Sequence, residues 1–451
     1  MNDDALTSAR RKAFLRLLPI LVLCYIIAYV DRNNVGIAKL TMVDDLPAFN
    51  DRVFGFGMGV FFWGYLLLEV PGTILVERWS ARKWICRIMI TWGFVAAMTA
   101  FVKTPMQFYG IRFLLGLAEA GFFPGVIVYM THWFPKQDRA RALATFLISS
   151  PIAMMLSPII SQTVQHYGTT EIVNGLEVVY PPLLGLQGWQ WIFIMWGIPA
   201  VVLGAMVPFI LPDRPKHAKW LTPEERYALE TTLEEEKRMV ASKEHMSLSK
   251  ALTNPVVLLL ALAYFGTTAA NYGVESFLPS ILRDWYKLTP SQASLLTILP
   301  SIVVLIGQLL IGWSSDRNQE RRWHASLPIL FGVLGFALAP WTHGHFVLTL
   351  ACFMMAAGGM KSYMPAFWTL PNLFLTSTAA AGSIGLINSL GNLGGFVGPY
   401  ALGYIKESTQ SFDIGLYTLS FLGLTSAVII LSMRIANKQN LGLSKNPSTK
   451  L

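Results

Sequence analysis

Residues 73–83 read TILVERWSARK and residues 312–322 read GWSSDRNQERR. Each segment ends an apolar run with an acid–base pair, Glu77-Arg78 in one and Asp316-Arg317 in the other. Each then adds two bases, Arg82-Lys83 and Arg321-Arg322, and the two copies lie 239 residues apart. Two proline pairs repeat the spacing, since Pro124 and Pro365, like Pro158 and Pro399, are separated by 241 residues. Three landmarks on one offset describe two similar halves arranged in parallel, and such pseudo-symmetry places a substrate site at the midplane between them.

The runs around these landmarks have membrane-crossing length, for which roughly 20 apolar residues suffice. Twelve stretches qualify: 17–40, 54–76, 84–102, 106–131, 141–165 and 189–211, then 253–282, 291–313, 325–341, 347–371, 378–404 and 414–434. The expectation is an all-α membrane protein with 12 transmembrane helices in two pseudo-symmetric six-helix halves, 17–211 and 253–434. The intervening 212–252 is read as a cytoplasmic linker, and 1–16 and 435–451 as cytoplasmic ends. Composition agrees. Of 451 residues, 53% are hydrophobic and 14% charged, against roughly 25% charged in soluble proteins, which argues against a water-soluble globule.

The net charge of +9 is explained by position. With the N-terminus inside, cytoplasmic segments hold 26 of the 35 Lys and Arg when Arg87, Arg141 and Arg434 at the cytoplasmic margins of their spans are counted with them, external loops five and span interiors four. Basic loops stay in the cytoplasm, so both termini are expected there, and a nucleic-acid role loses its support. Arg10, Arg11, Lys12 and Arg16 precede the first apolar run as in a signal peptide, but no small-residue cleavage site follows, so the run is read as a retained span. Cys24, Cys86 and Cys352 are odd in number and far apart, which suits neither a disulfide framework nor a metal pair. The seven histidines fall at span ends or in loops, and there is no HExxH or Walker-type sequence. No enzyme activity, cofactor or metal is expected; His343-Gly-His345 reads as a turn. Segment 212–250 carries eight acids and eight bases with an amphipathic helix expected from a Thr222 cap, and reads as a solvated hinge. The external stretch 167–188 reads as a surface excursion, with a lid as the alternative.

The 73–83 and 312–322 segments resemble the loop signature of the major facilitator superfamily, with Thr73 and Glu77 standing where that signature has Gly and Asp. More narrowly, AYVDRNNVGIA (28–38), GIRFLLGLAEAGFFPG (110–125), HWFP (132–135), GWQWIF (188–193) and NYG (271–273) resemble the anion:cation symporter branch, especially its tartrate-transporter-like members. The resemblance implies organic-anion transport. It also implies proton coupling at Asp31 and Glu119 and anion binding at Arg32 and Arg112, all four matched residue for residue.

The residues themselves point the same way. An ionisable group at the centre of a span costs about 2.5 to 3.5 kcal/mol on insertion scales, so those present face a cavity or each other. Asp31 and Arg32 are adjacent and point roughly 100° apart on a helix, so they have separate tasks: Asp31 exchanges a proton, and Arg32 presents a planar fork to a carboxylate. The alternative is an ion pair that only locks helices. Arg112 and Glu119, seven residues apart, share a helix face about 10.5 Å apart along the axis, too far to pair directly. Arg112 is then free to hold a carboxylate while Glu119 titrates. Lys361 sits near the symmetry counterpart of Glu119, where it either binds a second carboxylate or pairs with Glu275. Tyr29, Asn271, Tyr272 and Asn388 are weaker substrate candidates, since each also serves as a helix-to-helix hydrogen bond. Lys39 and Glu69, toward span ends, are expected to snorkel or contact loops. Glu77, Arg78, Arg82, Asp316, Arg317 and Arg321 form the loop motif.

The reading is a monomeric secondary transporter in the bacterial inner membrane that imports a small hydroxylated mono- or dicarboxylate, such as tartrate or a sugar acid. Protons are the coupling ion, with sodium the alternative; the lipid bilayer is the other partner. Its rivals are a facilitator or antiporter of organic anions and a transporter-like ligand sensor.

Overall fold

The computed structural model describes residues 3–78, 80–173, 176–241, 254–318, 320–371 and 377–433. Side chains at 70, 72–79, 140, 171–173, 176, 237, 239–240 and 377–382 lie outside that description. The first span is one helix, Asp3–Asp45, followed by Asp51–Arg78, Ala81–Met98, a fourth span in two pieces, a fifth in two pieces, and Gly188–Ile210. The second half runs Pro255–Tyr286, Pro290–Asn318 with a break near Thr297, Arg322–Leu338, Phe346–Phe367 with a break at Tyr363, Ser377–Thr409 with a break at Leu393, and Asp413–Ser432. Helix starts are written locally: Thr104 and Thr289 close capping boxes with Gln107 and Gln292 ahead of Pro105 and Pro290, satisfying backbone N–H groups that the first turn leaves open.

Ten helical stretches among the described residues are long and apolar enough to cross a membrane. The second and eleventh spans, whose residues lie partly outside the description, are also helical and pack against each other across the two halves. A Cβ on Gly55 would stand 2.5 Å from the Pro399 carbonyl oxygen. The fourth span departs from a continuous 106–131 helix. It comprises Pro105–Glu119 and Phe122–Thr131, separated by Ala120 and by Gly121 at φ +82°, a left-handed conformation that favours glycine.

The first helix begins 14 residues before the expected span start at 17, and its extension meets the linker. There the solvated-hinge expectation fails. The helix Pro223–Ala241, whose Thr222 and Glu225 cap each other, is docked on the first half. Glu225 accepts from Ser8 at 2.6 Å and Lys12 at 2.7 Å, Arg10 forks onto Asp138 at 2.5 and 2.7 Å, and Arg139 donates to Glu236 at 2.9 Å. Trp220 stacks on Trp133 with centroids 5.4 Å apart. A near-neutral segment can therefore be docked through a few of its acids, because net charge does not record where the opposite charges sit.

On the opposite face, the 167–188 stretch contains a two-stranded antiparallel hairpin, Thr170–Val173 with Leu176–Val179. These two faces are called the linker face and the hairpin face below. Within the first half, spans two and four touch backbone to backbone: a Cβ on Gly64 would lie 2.2 Å from the Phe113 carbonyl oxygen and one on Gly116 2.0 Å from that of Phe61.

The repeated loop motif has repeated anchoring. Arg82 donates to the Pro208 carbonyl at 3.0 Å and pairs with Asp213, tying the start of span three to the end of span six. Arg322 donates to the Met433 carbonyl at 2.9 Å, tying the start of span nine to the end of span twelve. Arg321 pairs with Asp316 at 2.6 Å, and Arg317 lies 5.3 Å over the Trp313 ring. The side chains of Glu77 and Arg78 lie outside the described residues.

Two outcomes follow from this packing. Gly116→Val forces backbone apart and should lower the thermal midpoint by several degrees, read by differential scanning fluorimetry, since overpacking costs about 1–3 kcal/mol. At Glu225, burial favours the protonated form, but the donors Lys12, Ser8 and Thr222 outweigh it and hold the carboxyl below its usual range. Its contribution to docking is thus complete above the ordinary glutamate pKa and lost as pH falls through the lowered value. Lys12→Ala or Glu225→Gln should speed amide exchange in the linker helix at neutral pH, while acidification of the wild type only to pH 5 should not.

Candidate functional site

Span one supplies two adjacent charges, and the helix turns them to different neighbours. Asp31 faces into the first half, where it accepts from Trp92 Nε1 of span three at 2.7 Å and Asn34 Nδ2 at 3.5 Å. Arg32 faces spans two and four. Its Nε donates to Glu119 Oε1 at 2.5 Å, and its guanidinium lies 5.0 Å from the Tyr65 ring centroid and 5.5 Å from that of Phe61. Asp31 and Arg32 do not pair with each other, and the ion pair between helices that the locking alternative requires is present as Arg32–Glu119.

Arg112 is 2% exposed and shares Phe61 with Arg32, its guanidinium 5.3 Å from the same ring. It donates to the backbone oxygens of Gly57 and Arg32, both at 3.4 Å, and does not pair with Glu119. Glu119 is the last residue before the break in span four. Three buried polar atoms of this group lack a hydrogen-bond partner among the described residues: Arg32 Nη2, Arg112 Nη1 and Glu119 Oε2. A buried polar atom without a partner is costly, most of all on a charged group.

The second half contributes its own group. Lys361 of span ten pairs with Glu275 of span seven and donates to the hydroxyl of Tyr29, on span one, at 2.6 Å. Asn271 Nδ2 donates to the other Glu275 oxygen at 3.0 Å. Of the two readings for Lys361, this arrangement contains the pairing with Glu275. Tyr272 is an electrostatic neighbour of Arg32 and packs edge-on against Phe62. A small cleft of about 40 Å³ adjoins the group on the hairpin side, lined among others by Asn33, Gly36, Ser157, Glu275 and Ser301.

Glu69 corrects the snorkelling expectation. It is 6% exposed and its two oxygens accept from Asn388 at 2.7 Å and Ser389 at 3.0 Å, both on span eleven. Asn388 is thus engaged across the halves by an acid. Lys39 pairs with Asp51, the first residue of span two, and sits 4.1 Å over the Phe277 ring of span seven. Bonds between the halves therefore occur at three depths. Arg283 with Asp44 and Lys39 with Phe277 lie toward the hairpin face, Tyr29 with Lys361 midway, and Glu69 with Asn388 toward the linker face.

Sequence reasoning missed Trp92, Tyr65 and Ser389. Tyr65 had a signal, one turn before Glu69; Trp92 had none, since an indole in an apolar span looks like packing. Among the described residues no group of three His, Cys, Asp or Glu is placed to hold a metal ion. His343 pairs instead with Asp413 at 3.1 Å.

Comparison with known proteins places this arrangement in context. The family model described as Major Facilitator Superfamily matches residues 21–399. A protein named "Putative tartrate transporter" from Agrobacterium vitis is 40% identical over 443 residues, 98% of each chain. A "Quinolone resistance transporter" from Acinetobacter baumannii is 38% identical over 419 residues, 93% of each chain. In fold, the chain is similar to the inward-open xylose transporter XylE from E. coli, with a TM-score of 0.72 at 13% identity over 93% of this chain and 96% of that one. A family match over most of the length, full-length relatives and a bundle of membrane-crossing helices in two halves agree: the chain belongs to the Major Facilitator Superfamily, a family of multi-pass membrane transporters and not of enzymes.

Proposed function

We propose that this protein imports a small hydroxylated organic anion across the bacterial inner membrane together with protons, as a monomer with the linker face and both termini in the cytoplasm. The observation that carries the reading is the Arg32–Glu119 pair, buried between helices beside two unpartnered guanidinium nitrogens. Two arginines over one aromatic ring give a permanently charged, partly unsatisfied platform that suits a planar carboxylate. The name of the Agrobacterium relative supports this class of cargo. The excess of Lys and Arg in the linker-face segments supports the orientation.

Coupling follows from competition for one cation. Glu119 accepts from Arg32 Nε, the donor that a substrate carboxylate would need. A proton arriving at Glu119 removes its charge, frees the Arg32 fork and makes room for the substrate carboxylate; substrate then keeps Glu119 from recovering its cation. Asp31, held by Trp92 one residue away, is the second proton site. Proton and anion thus enter together, and the halves rock about the loaded site.

In proteoliposomes, Glu119→Gln should abolish accumulation driven by a pH gradient while exchange of labelled for unlabelled substrate persists; accumulation at the wild-type level would remove Glu119 from coupling. Arg112→Ala should weaken carboxylate binding by about 10- to 100-fold, the worth of one charged hydrogen bond. Isothermal titration of the purified protein reads this, and retained affinity would count against the arginine platform. Uptake indifferent to the pH gradient would overturn proton coupling as a whole.

A further inference from the structure

The Lys361–Glu275 pair has a counterpart. Arg32 and Glu275 are 243 residues apart and Glu119 and Lys361 are 242 apart, close to the 239 and 241 that separate the landmarks of the two halves. Spans one and seven are therefore equivalent, as are spans four and ten. In the first half the cation stands on span one and its acid on span four; in the second the acid stands on span seven and its cation on span ten. The geometry is repeated with the signs exchanged.

The tyrosines follow the same relation. Tyr29 and Tyr272 are 243 residues apart. Tyr29 of the first half reaches Lys361 of the second at 2.6 Å, and Tyr272 of the second neighbours Arg32 of the first. Each cation is thus held by an acid of its own half and approached by a tyrosine of the other. Two buried ion pairs are a poor way to gain stability, because well-packed apolar residues commonly do as well. The Lys361–Glu275 bond itself lies within the second half, and its link to the first is the Tyr29 hydroxyl.

We propose that Lys361 is a second carboxylate site, so that the protein selects hydroxylated dicarboxylates, with one carboxylate on Arg32 and Arg112 and the other on Lys361. Glu275 stands in for the distal carboxylate when the site is empty, as Glu119 does at Arg32. The hydroxyls of Tyr29 and Tyr272, and the buried Asn271 Oδ1, which has no hydrogen-bond partner among the described residues, are placed for the hydroxyls between the two carboxylates. This inference rests on the organic-anion reading above and narrows it.

The test uses matched pairs that differ in one group. L-tartrate and L-threonate share a four-carbon dihydroxy skeleton and differ only by carboxylate against hydroxymethyl; galactarate and galactonate do the same at six carbons. Titration of the purified full-length protein gives the ratio of monocarboxylate to dicarboxylate Kd. The wild-type ratio should be about tenfold or more for at least one pair, the worth of a charge-assisted contact, and Lys361→Met should bring it near one. Because Lys361→Met leaves Glu275 unpaired, the double variant Lys361→Met/Glu275→Gln provides a neutral control in which the ratio should also collapse. A wild-type ratio near one, or an unchanged ratio in either variant, overturns the second site while leaving the organic-anion reading intact. Failure of the wild type to bind any of the four overturns the organic-anion reading itself.

Discussion

A charge taken out of water must be met by another charge or by hydrogen bonds, and in a bilayer this requirement governs everything else about the site. Arg32 and Glu119 meet it for each other at 2.5 Å, on helices that the chain separates by 87 residues. That contact sets where span four must lie against span one, and span two must then come close enough to give Phe61 and Tyr65 to the same guanidinium. Glycines at 64 and 116 permit that approach. The fold and the site are therefore one problem: helices assemble where their stranded charges are answered.

The answer is incomplete by design of the pairing. Glu119 uses one oxygen on Arg32, and each arginine keeps a buried nitrogen without a partner among the described residues. A fully satisfied cluster would be a structural pin. A partly satisfied one keeps donors ready for a second acceptor when the first lets go, as the proposed exchange of Glu119 for substrate requires.

Much of this was legible in the sequence because charges interrupt apolar runs conspicuously. The twelve spans, the repeat and the shortlist of intramembrane ions all rest on that contrast. Pairing was not legible. For Glu119 the sequence set aside Arg112, seven residues away on the same helix, but could not name Arg32 of span one as the bonded partner. Glu69 looked like a span-end residue because apolar counting stops at 76, yet its neighbours Asn388 and Ser389 lie on the far half, and helix-to-helix contacts of that range leave no periodic trace. The linker failed for a related reason: equal numbers of acids and bases look solvated until Ser8, Lys12 and Arg139 are seen beside them. The break in span four had a local trace in Gly121, which was passed over in favour of the longer apolar run.

The backbone contact between spans two and four carries a mechanical consequence. With no side-chain layer between Gly64 and Phe113 or between Gly116 and Phe61, there is nothing soft there to compress. The lobe built on them is stiff, so deformation during transport has to be taken up elsewhere, where polar stitches and the glycine contacts of spans two and eleven join the lobes. A stiff arm pivoting on such stitches magnifies a sub-ångström adjustment beside the cargo into several ångströms at the membrane surface.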